Sequence, residues 1–306
     1  MNEEKTLPAV LKSIPKKIAG IDEIEILIID DGCTDRTVEV AKKLGVQQFV
    51  FHRQWKGLAT GFKNGLNRSL ELGADIIVHT DGDNQYPQAR IPDLIQPILD
   101  MQADMVIADR QTHKIEHFSP AKKLFQRFGT HVLNAAAGTK IPDAPSGFRA
   151  YSKQAAMQLN VVTKFSYTME TLIQAGNKRI AIATVPVATN PKTRESRLFK
   201  SSWEHMRKSA LAIARGFVMY RPYMLFNTLG LILLLLGMIP FTRFLYLTFI
   251  DHTHGIRHLQ SLIIGSVLLV AAFIAFTLGV IADLIRINRS LIEEQLEQIK
   301  LSRFGR

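Results

Sequence analysis

The 306-residue sequence has one cysteine, Cys33, so no disulfide can form within the chain, and a reducing compartment suits it. It has no aromatic stacking platform and nothing resembling a nucleic-acid module, so its net charge of +11 is not read as a nucleic-acid footprint. Neither a G-x-G-x-x-G pattern nor a Walker sequence occurs. The glycine-rich stretch from Gly57 to Gly65 therefore supports neither a dinucleotide site nor a P-loop. Internal repeats and low-complexity tracts are absent as well. Up to Arg221 no uncharged run is long enough to cross a membrane, and the two such runs that follow lie too far from the N-terminus to be signal peptides.

Those two runs, 223–242 and 259–282, are the first positive information. A helix rising about 1.5 Å per residue needs roughly 20 residues to span a hydrocarbon core of about 30 Å. A buried core helix is the plain alternative for one run; two runs joined by a short loop point to a transmembrane hairpin. The loop 251–258 carries Arg257 alone. The flanks carry Arg207, Lys208, Arg215 and Arg221 on one side and Arg286, Arg289, Lys300, Arg303 and Arg306 on the other. The positive-inside rule then places both flanks, both termini and the N-terminal domain in the cytosol, in the cytoplasmic membrane or its endoplasmic-reticulum counterpart. Cations beside a bilayer attract anionic headgroups, and cations beside a site attract phosphates; these two causes account for the basic balance.

Before Arg221, short apolar runs alternate with helical patterns. Strands are expected at 24–29, 47–52, 76–80 and 105–108, and helices at 35–44, 58–72 and 91–101. Such alternation implies an α/β domain with a mostly parallel sheet, whose ligands bind at the carboxyl ends of the strands. Further on, a helix running to about Ala137, a strand at 148–151, a helix at 167–176 and a strand at 180–187 are expected. Residues 189–202 read as a loop, and 203–220 alternates apolar and cationic residues as an interfacial helix does. The expected division is 1–202 catalytic, 203–221 interfacial and 222–306 hairpin with a basic tail.

The polar clusters fall at strand ends. Asp81-Gly82-Asp83-Asn84-Gln85 follows one strand directly, and carboxylates at i and i+2 of an extended segment share a face that Gln85 continues. Hard oxygens converging in this way suit Mg²⁺ or Mn²⁺, with a diphosphate and water in the remaining positions. A bare Asp-x-Asp is otherwise a solvated turn, and its position after a strand is what raises it above that. The glutamate that an EF-hand would need is absent. Asp30-Asp31-Gly32 ends another strand; Thr34 or Asp35 can cap the next helix, while a further carboxylate is available to a nucleobase or ribose. His113 and His117 would share a helix face, but with no third ligand they read as surface histidines.

Taken in order, Asn2-Glu3-Glu4 with Leu7-Pro8, Asp30 to Thr37, Lys56-Gly57, Asp81 to Gln85 and Ser146-Gly147-Phe148-Arg149 resemble the family-2 glycosyltransferases of GT-A fold. Within that family the chain is similar to polyprenyl-phosphate glycosyltransferases of the dolichol-phosphate mannose synthase type, over residues up to about Ser202. The resemblance implies inverting sugar transfer from a nucleoside diphosphate sugar to a polyprenyl phosphate. It implies that Asp31 contacts the base, with Glu3 and Lys56 also on the donor side. Asp81 would lie near the ribose and diphosphate and, with Asp83 and Gln85, at a Mg²⁺ or Mn²⁺ ion. Arg110, Arg127 and Arg149 would face phosphates, Glu170 would stand near the acceptor, and the loop with Arg194, Ser196, Arg197 and Lys200 would close over the substrates.

Three departures stand out. The closing loop lacks the usual Arg-x-x-Gly-x-Ser-Lys pattern, Cys33 replaces a serine, and Met1 stands where relatives have the tyrosine of Pro-x-Tyr-Asn-Glu. The family's first strand and part of the base-binding wall are thus expected to be missing, through a shortened chain or a misplaced start. A polysaccharide synthase would want more spans and a Gln-x-x-Arg-Trp motif, which is absent; an inactive membrane adaptor is the rival of another class. Association of hairpins into a homo-oligomer is a further expectation.

Overall fold

The computed structural model describes residues 1–111, 129–135, 137–162, 167–191, 211, 218–249 and 259–305. Two compact units result, one of residues 1–216 with 294–306 and one of residues 217–293.

The first unit begins with α1 (Leu7–Ser13), which the sequence pattern did not reveal. It is only 7 residues long, too short to establish a period, and is anchored by buried Leu7 and Val10 at i and i+3. Pro8 fits its first turn because the missing N–H would have no helical partner there. Then follow β1 (Leu27–Asp30), α2 (Thr37–Lys43), β2 (Gln48–Phe51), α3 (Leu58–Glu71), β3 (Ile76–His79), α4 (Ile91–Leu99) and β4 (Met105–Asp109). The chain continues through helical residues 129–135 to β5 (Arg149–Ser152), α5 (Lys153–Gln158), α6 (Tyr167–Asn177) and β6 (Ile182–Pro186).

The strands form two sheets. β1 and β2 pair in parallel, Leu27 opposite Gln48. The larger sheet has the order β3-β5-β4-β6, with β4 and β6 parallel and β5 antiparallel to both β3 and β4. The reversed β5 departs from the mostly parallel sheet expected, because periodicity reports which faces are apolar and not which way a strand runs. Helix α3 packs on both sheets. Ile29 of β1 fits against Gly65, where an added Cβ would overlap its side chain, and Phe62 meets His79 of β3 edge-on with ring centroids 5.3 Å apart. Among the described residues β1 pairs only with β2 and β3 only with β5. The main core lies between α4 and the larger sheet, around Leu94, Ile95, Val106, Phe148 and Ala150.

The C-terminal residues from Glu294 belong to this first unit. Glu297 pairs with Lys178 at 3.2 Å, Lys300 Nζ donates to the Leu159 carbonyl at 2.7 Å, and Arg303 reaches Glu71 at 3.0 Å. Positions 297, 300 and 303 lie three apart, on one helix face.

The second unit contains α7 (Pro222–Phe249) and most of α8 (Leu259–Phe304), both long and apolar enough to cross a bilayer. Small residues lie where these helices meet. A Cβ at Gly230 would come within 2.7 Å of the Phe276 ring, at Gly237 within 2.9 Å of Leu268, and at Gly265 within 2.9 Å of the Phe241 backbone. On α8, Gly265, buried Ala272 and Gly279 recur every seventh residue, the repeat that keeps one seam facing a partner helix. The described parts match the expected hairpin, whereas residues 203–210 and 212–217 of the expected interfacial helix lie outside the described residues.

Two outcomes follow from these contacts. Gly265→Leu should force α7 and α8 apart and destabilise the hairpin by about 1–3 kcal/mol, seen as a lower thermal midpoint in detergent; an unchanged midpoint would refute the packing. Burial, followed by the neighbouring Lys178 and Lys63, pulls Lys300 down from 10.5 to about 8. The docked tail therefore binds fewer protons than the free tail between those values, so stability should rise with pH across that window and level off below about 8, where both forms are protonated. The rise in thermal midpoint from pH 7.5 to 9.5 should shrink in Lys300→Met.

Candidate active site

Two acidic turns follow strands, one in each sheet. The first closes β1. Asp30 Oδ1 accepts from the Cys33 amide at 2.8 Å, and Asp35 accepts from the Thr37 amide at 3.0 Å, one residue ahead of Arg36, which takes the N-cap position of α2 without a side-chain bond. Asp31 is held more tightly. Its Oδ1 receives His52 Nδ1 at 2.8 Å and the Lys56 amide at 2.9 Å, and its Oδ2 receives the Gly57 amide at 2.9 Å. Burial pushes the Asp31 carboxyl up, but the bonds from Lys56, His52 and Gly57 outweigh it and hold it below the usual carboxylate range. Gly32 makes the wrapping of this loop possible: its φ is +76°, and a Cβ there would lie 3.0 Å from the Trp55 amide nitrogen.

The second turn follows β3. It is a true turn rather than the extended row expected, with Asn84 at φ +60°, a left-handed conformation that asparagine tolerates. Asp83 accepts the Gln85 amide at 3.1 Å and Gln85 Nε2 at 2.9 Å, so the donor end of the Gln85 side chain is bound and its carbonyl end is the one available. Asp81 makes no side-chain hydrogen bond to any described residue. The peptide backbone of this turn is pinned from two sides. Thr6 Oγ1 lies 2.9 Å from the Gly82 carbonyl and 2.6 Å from Glu3 Oε2, two acceptors that share its one proton, so buried Glu3 is tied to the turn through Thr6. Asn190 donates from its amide to the Gln85 carbonyl at 2.9 Å and from Nδ2 to the Asn84 carbonyl at 3.0 Å. Asn190 was not singled out by sequence because nothing local marks a residue that acts 106 positions away.

Among the described residues no three His, Cys, Asp or Glu side chains converge to cage a metal. A cation at this turn would take Asp81, Asp83 and the Gln85 carbonyl, hard oxygens that suit Mg²⁺ or Mn²⁺ and leave positions for ligand oxygens.

Behind Asp81 lies a buried floor that sequence reading missed. His79 Nδ1 stands 3.0 Å from the Gly147 carbonyl and 3.0 Å from Tyr167 Oη, and Tyr86 Oη accepts the Gly147 amide at 3.0 Å. Burial keeps His79 neutral against the pull of Asp81, and burial raises both tyrosines. Gly147 is where the floor meets the turn: an added Cβ would lie 3.0 Å from Tyr167 Oη and 3.4 Å from Asp81 Oδ2.

The predicted arginines divide. Arg110 is clamped by Asp143 through Nε at 2.7 Å and one terminal nitrogen at 2.9 Å, leaving the other without a hydrogen bond among the described residues. Arg110 is raised further above its ordinary range; burial opposes this, but Asp143 dominates and Asp81 contributes. Arg149 does not face phosphates. It is 0% exposed and spends its donors on the carbonyls of Ala144, Ser146 and Thr168 and on Thr171 Oγ1. Glu170 is likewise buried, with both oxygens 3.2 Å from the Val162 amide, so it braces a loop. Lys56 contributes its amide to Asp31. Arg127, Arg194, Arg197 and Lys200, together with His113, His117 and Ser196, lie outside the described residues.

With this geometry in hand, the likeness to known proteins is specific. The glycosyl transferase family 2 model matches residues 1–159. A UDP-N-acetylglucosamine–dolichyl-phosphate N-acetylglucosaminyltransferase of Methanococcus voltae is 27% identical over 209 residues, covering 61% of this chain and 82% of the relative. A dolichol-phosphate mannosyltransferase of Pyrococcus furiosus is 30% identical over 218 residues, 67% of this chain and 59% of the relative. Glucosyl-3-phosphoglycerate synthase of Mycobacterium tuberculosis, solved with Mn²⁺, UDP and its product, superposes with a TM-score of 0.53 at 22% identity, over 71% of this chain and 76% of that one. The fold is GT-A, a mixed α/β architecture, and the chain belongs to glycosyl transferase family 2. It is a glycosyltransferase.

Gly147→Ala tests the floor. Its methyl would press on Tyr167 Oη, which must yield by a few tenths of an ångström and strain its contacts with His79 and Gly147, so the variant should lose about 1–3 kcal/mol of stability by chemical denaturation. Full stability would mean that the close approach is not required.

Proposed function

We propose that this chain transfers a sugar from a nucleoside diphosphate sugar to a polyprenyl phosphate, with inversion, at the cytosolic face of a membrane. The observation that carries the reading is the pinned Asp81–Gln85 turn beside the clamped Arg110. The relatives named for dolichyl-phosphate acceptors support the acceptor class.

Asp81, Asp83 and Gln85 would hold a divalent ion, which when bound would supply positive charge to offset the departing diphosphate. The acceptor phosphate is already an anion at neutral pH, so its oxygen can form the new bond to the anomeric carbon without a strong general base. The bond from that carbon to the diphosphate breaks on the opposite face, and the nucleoside diphosphate departs with the electron pair. Arg110, fixed by Asp143, offers its unbound terminal nitrogen to a phosphate oxygen. Because Thr6 and Asn190 hold the turn by its backbone, the carboxylates need not reorganise when charge develops. Arg127 and the 194–200 loop retain the roles that the resemblance implies.

Helices α7 and α8 are proposed to cross the bilayer, which confines the search for a lipid acceptor to its surface. The tail from Glu294 packs in the same unit as the N-terminal residues, which fits an even number of crossings and both ends on one side. The arginines at 221, 286 and 289 fit a cytosolic side.

Purified protein in detergent, given polyprenyl phosphate, Mg²⁺ or Mn²⁺ and a panel of nucleotide sugars, should form a lipid-linked sugar. Asp83→Ala should abolish turnover without lowering the thermal midpoint. Asn190→Ala should lower turnover by roughly two- to tenfold, the value of the one side-chain hydrogen bond to the Asn84 carbonyl that is lost, since the backbone amide at 190 still donates to Gln85. Lipid-linked product from Asp83→Ala at the native rate would refute the site.

A further inference from the structure

Among the described residues, the partners of Asp31 leave it one hydrogen-bond position, and that position limits which base it can read. An ionised carboxylate offers about four acceptor positions, two per oxygen. Oδ1 has both filled, by His52 Nδ1 and the Lys56 amide, whereas Oδ2 has one filled, by the Gly57 amide. The Asp31 side chain keeps 14% of its surface exposed, so the remaining position is open to a ligand.

The filling of Oδ1 depends on a second residue. Asn64 Nδ2 lies 2.7 Å from His52 Nε2, and an amide nitrogen can only donate, so Nε2 accepts and the ring proton sits on Nδ1. The His52 side chain is 2% exposed, which leaves no water to supply an alternative arrangement. Without Asn64 the proton could move to Nε2, and Asp31 would face a lone pair. The three side chains thus form a chain from α3 through the end of β2 to the end of β1.

We infer that the donor nucleotide carries a base presenting a single ring N–H, uracil or thymine, and that His52 and Asn64 are positioning residues that enforce this choice by saturating one oxygen of Asp31. The inference deepens the nucleotide-sugar reading and rests on it, including the base contact at Asp31. Guanine presents N1–H and its amino group side by side and needs both carboxylate oxygens; here its second donor meets an oxygen already filled. Cytosine and adenine present an amino group beside a ring nitrogen whose lone pair would face the ionised oxygen. Uracil and thymine present N3–H alone. The bonds that hold Asp31 below the ordinary carboxylate range keep it ionised, and therefore acceptor-only, at neutral pH.

Isothermal titration of the full chain in detergent, with Mn²⁺ and the diphosphates of uridine, thymidine, guanosine, cytidine and adenosine, tests this. Uridine diphosphate is expected to bind on the order of ten- to a hundredfold more tightly than guanosine diphosphate, the penalty for one buried donor left unmatched. Equal or tighter binding of guanosine diphosphate overturns the inference and leaves the nucleotide-sugar reading standing. Binding of none of the five overturns both. His52→Ala should draw the uridine-to-guanosine ratio towards one, and His52→Asn, whose amide can still donate to Oδ1, should restore it. Should His52→Ala fail to fold, Asn64→Ala is expected to narrow the same ratio. Loss of both affinities by one common factor overturns the positioning role, because a purely structural residue would not move the ratio.

Discussion

A guanidinium with no exposed surface must be met by acceptors, since an unpaired buried charge is far costlier than the fold can bear. Arg149 meets this demand with backbone carbonyls and one hydroxyl, and no carboxylate pairs with it among the described residues. Those acceptors come from two places, the loop before β5 and the first turns of α6, so the cation can be satisfied only when both converge on it. The loop between Ala144 and Phe148 is thereby fixed in space, and with it Gly147. From Gly147 the constraint passes outwards: its amide engages Tyr86, its carbonyl engages His79, and its bare Cα lets Asp81 sit close. Asp143, at the start of the same loop, clamps Arg110. One buried positive charge thus sets both the floor and the cationic side of the site.

The site is consequently built more by backbone than by side chains. The acidic turn after β3 is held through the carbonyls of Gly82, Asn84 and Gln85, each taken by a residue far away in sequence. Asp31 is held through the amides of Lys56 and Gly57. Amides and carbonyls cannot change rotamer, so carboxylates that depend on them are preorganised. Among the described residues, freedom is left where a ligand would need it, at the oxygens of Asp81, the carbonyl end of Gln85 and one lone pair of Asp31.

Much of this was legible from residue order, and what was not has physical causes. Acidic residues directly after an apolar run mark a strand end in an α/β domain, so Asp31, Asp81, Asp83 and Gln85 could be located without coordinates. The two apolar helices were visible because length and lack of charge are properties of the sequence itself. Arg149 was misjudged for the opposite reason: an arginine beside a glycine motif looks the same whether its guanidinium points outwards or inwards. Asn190, His79 and Tyr167 escaped because their partners lie across the fold, and the reversed β5 escaped because alternation carries no direction. His52 and Asn64 have roles that exist only through Asp31, which no local pattern encodes.

The docking of the tail has a consequence for how such a chain can change over time. Glu297, Lys300 and Arg303 bind Lys178, Leu159 and Glu71 within the first unit, so the polypeptide leaves that unit once and returns to it. With α7 and α8 as crossings, the intervening segment can be lengthened or replaced only in pairs of spans. An odd number would strand the three docking residues on the far side of the lipid. On the proposed reading of α7 and α8 as crossings, a first unit that holds both ends of the intervening segment admits only an even number of spans.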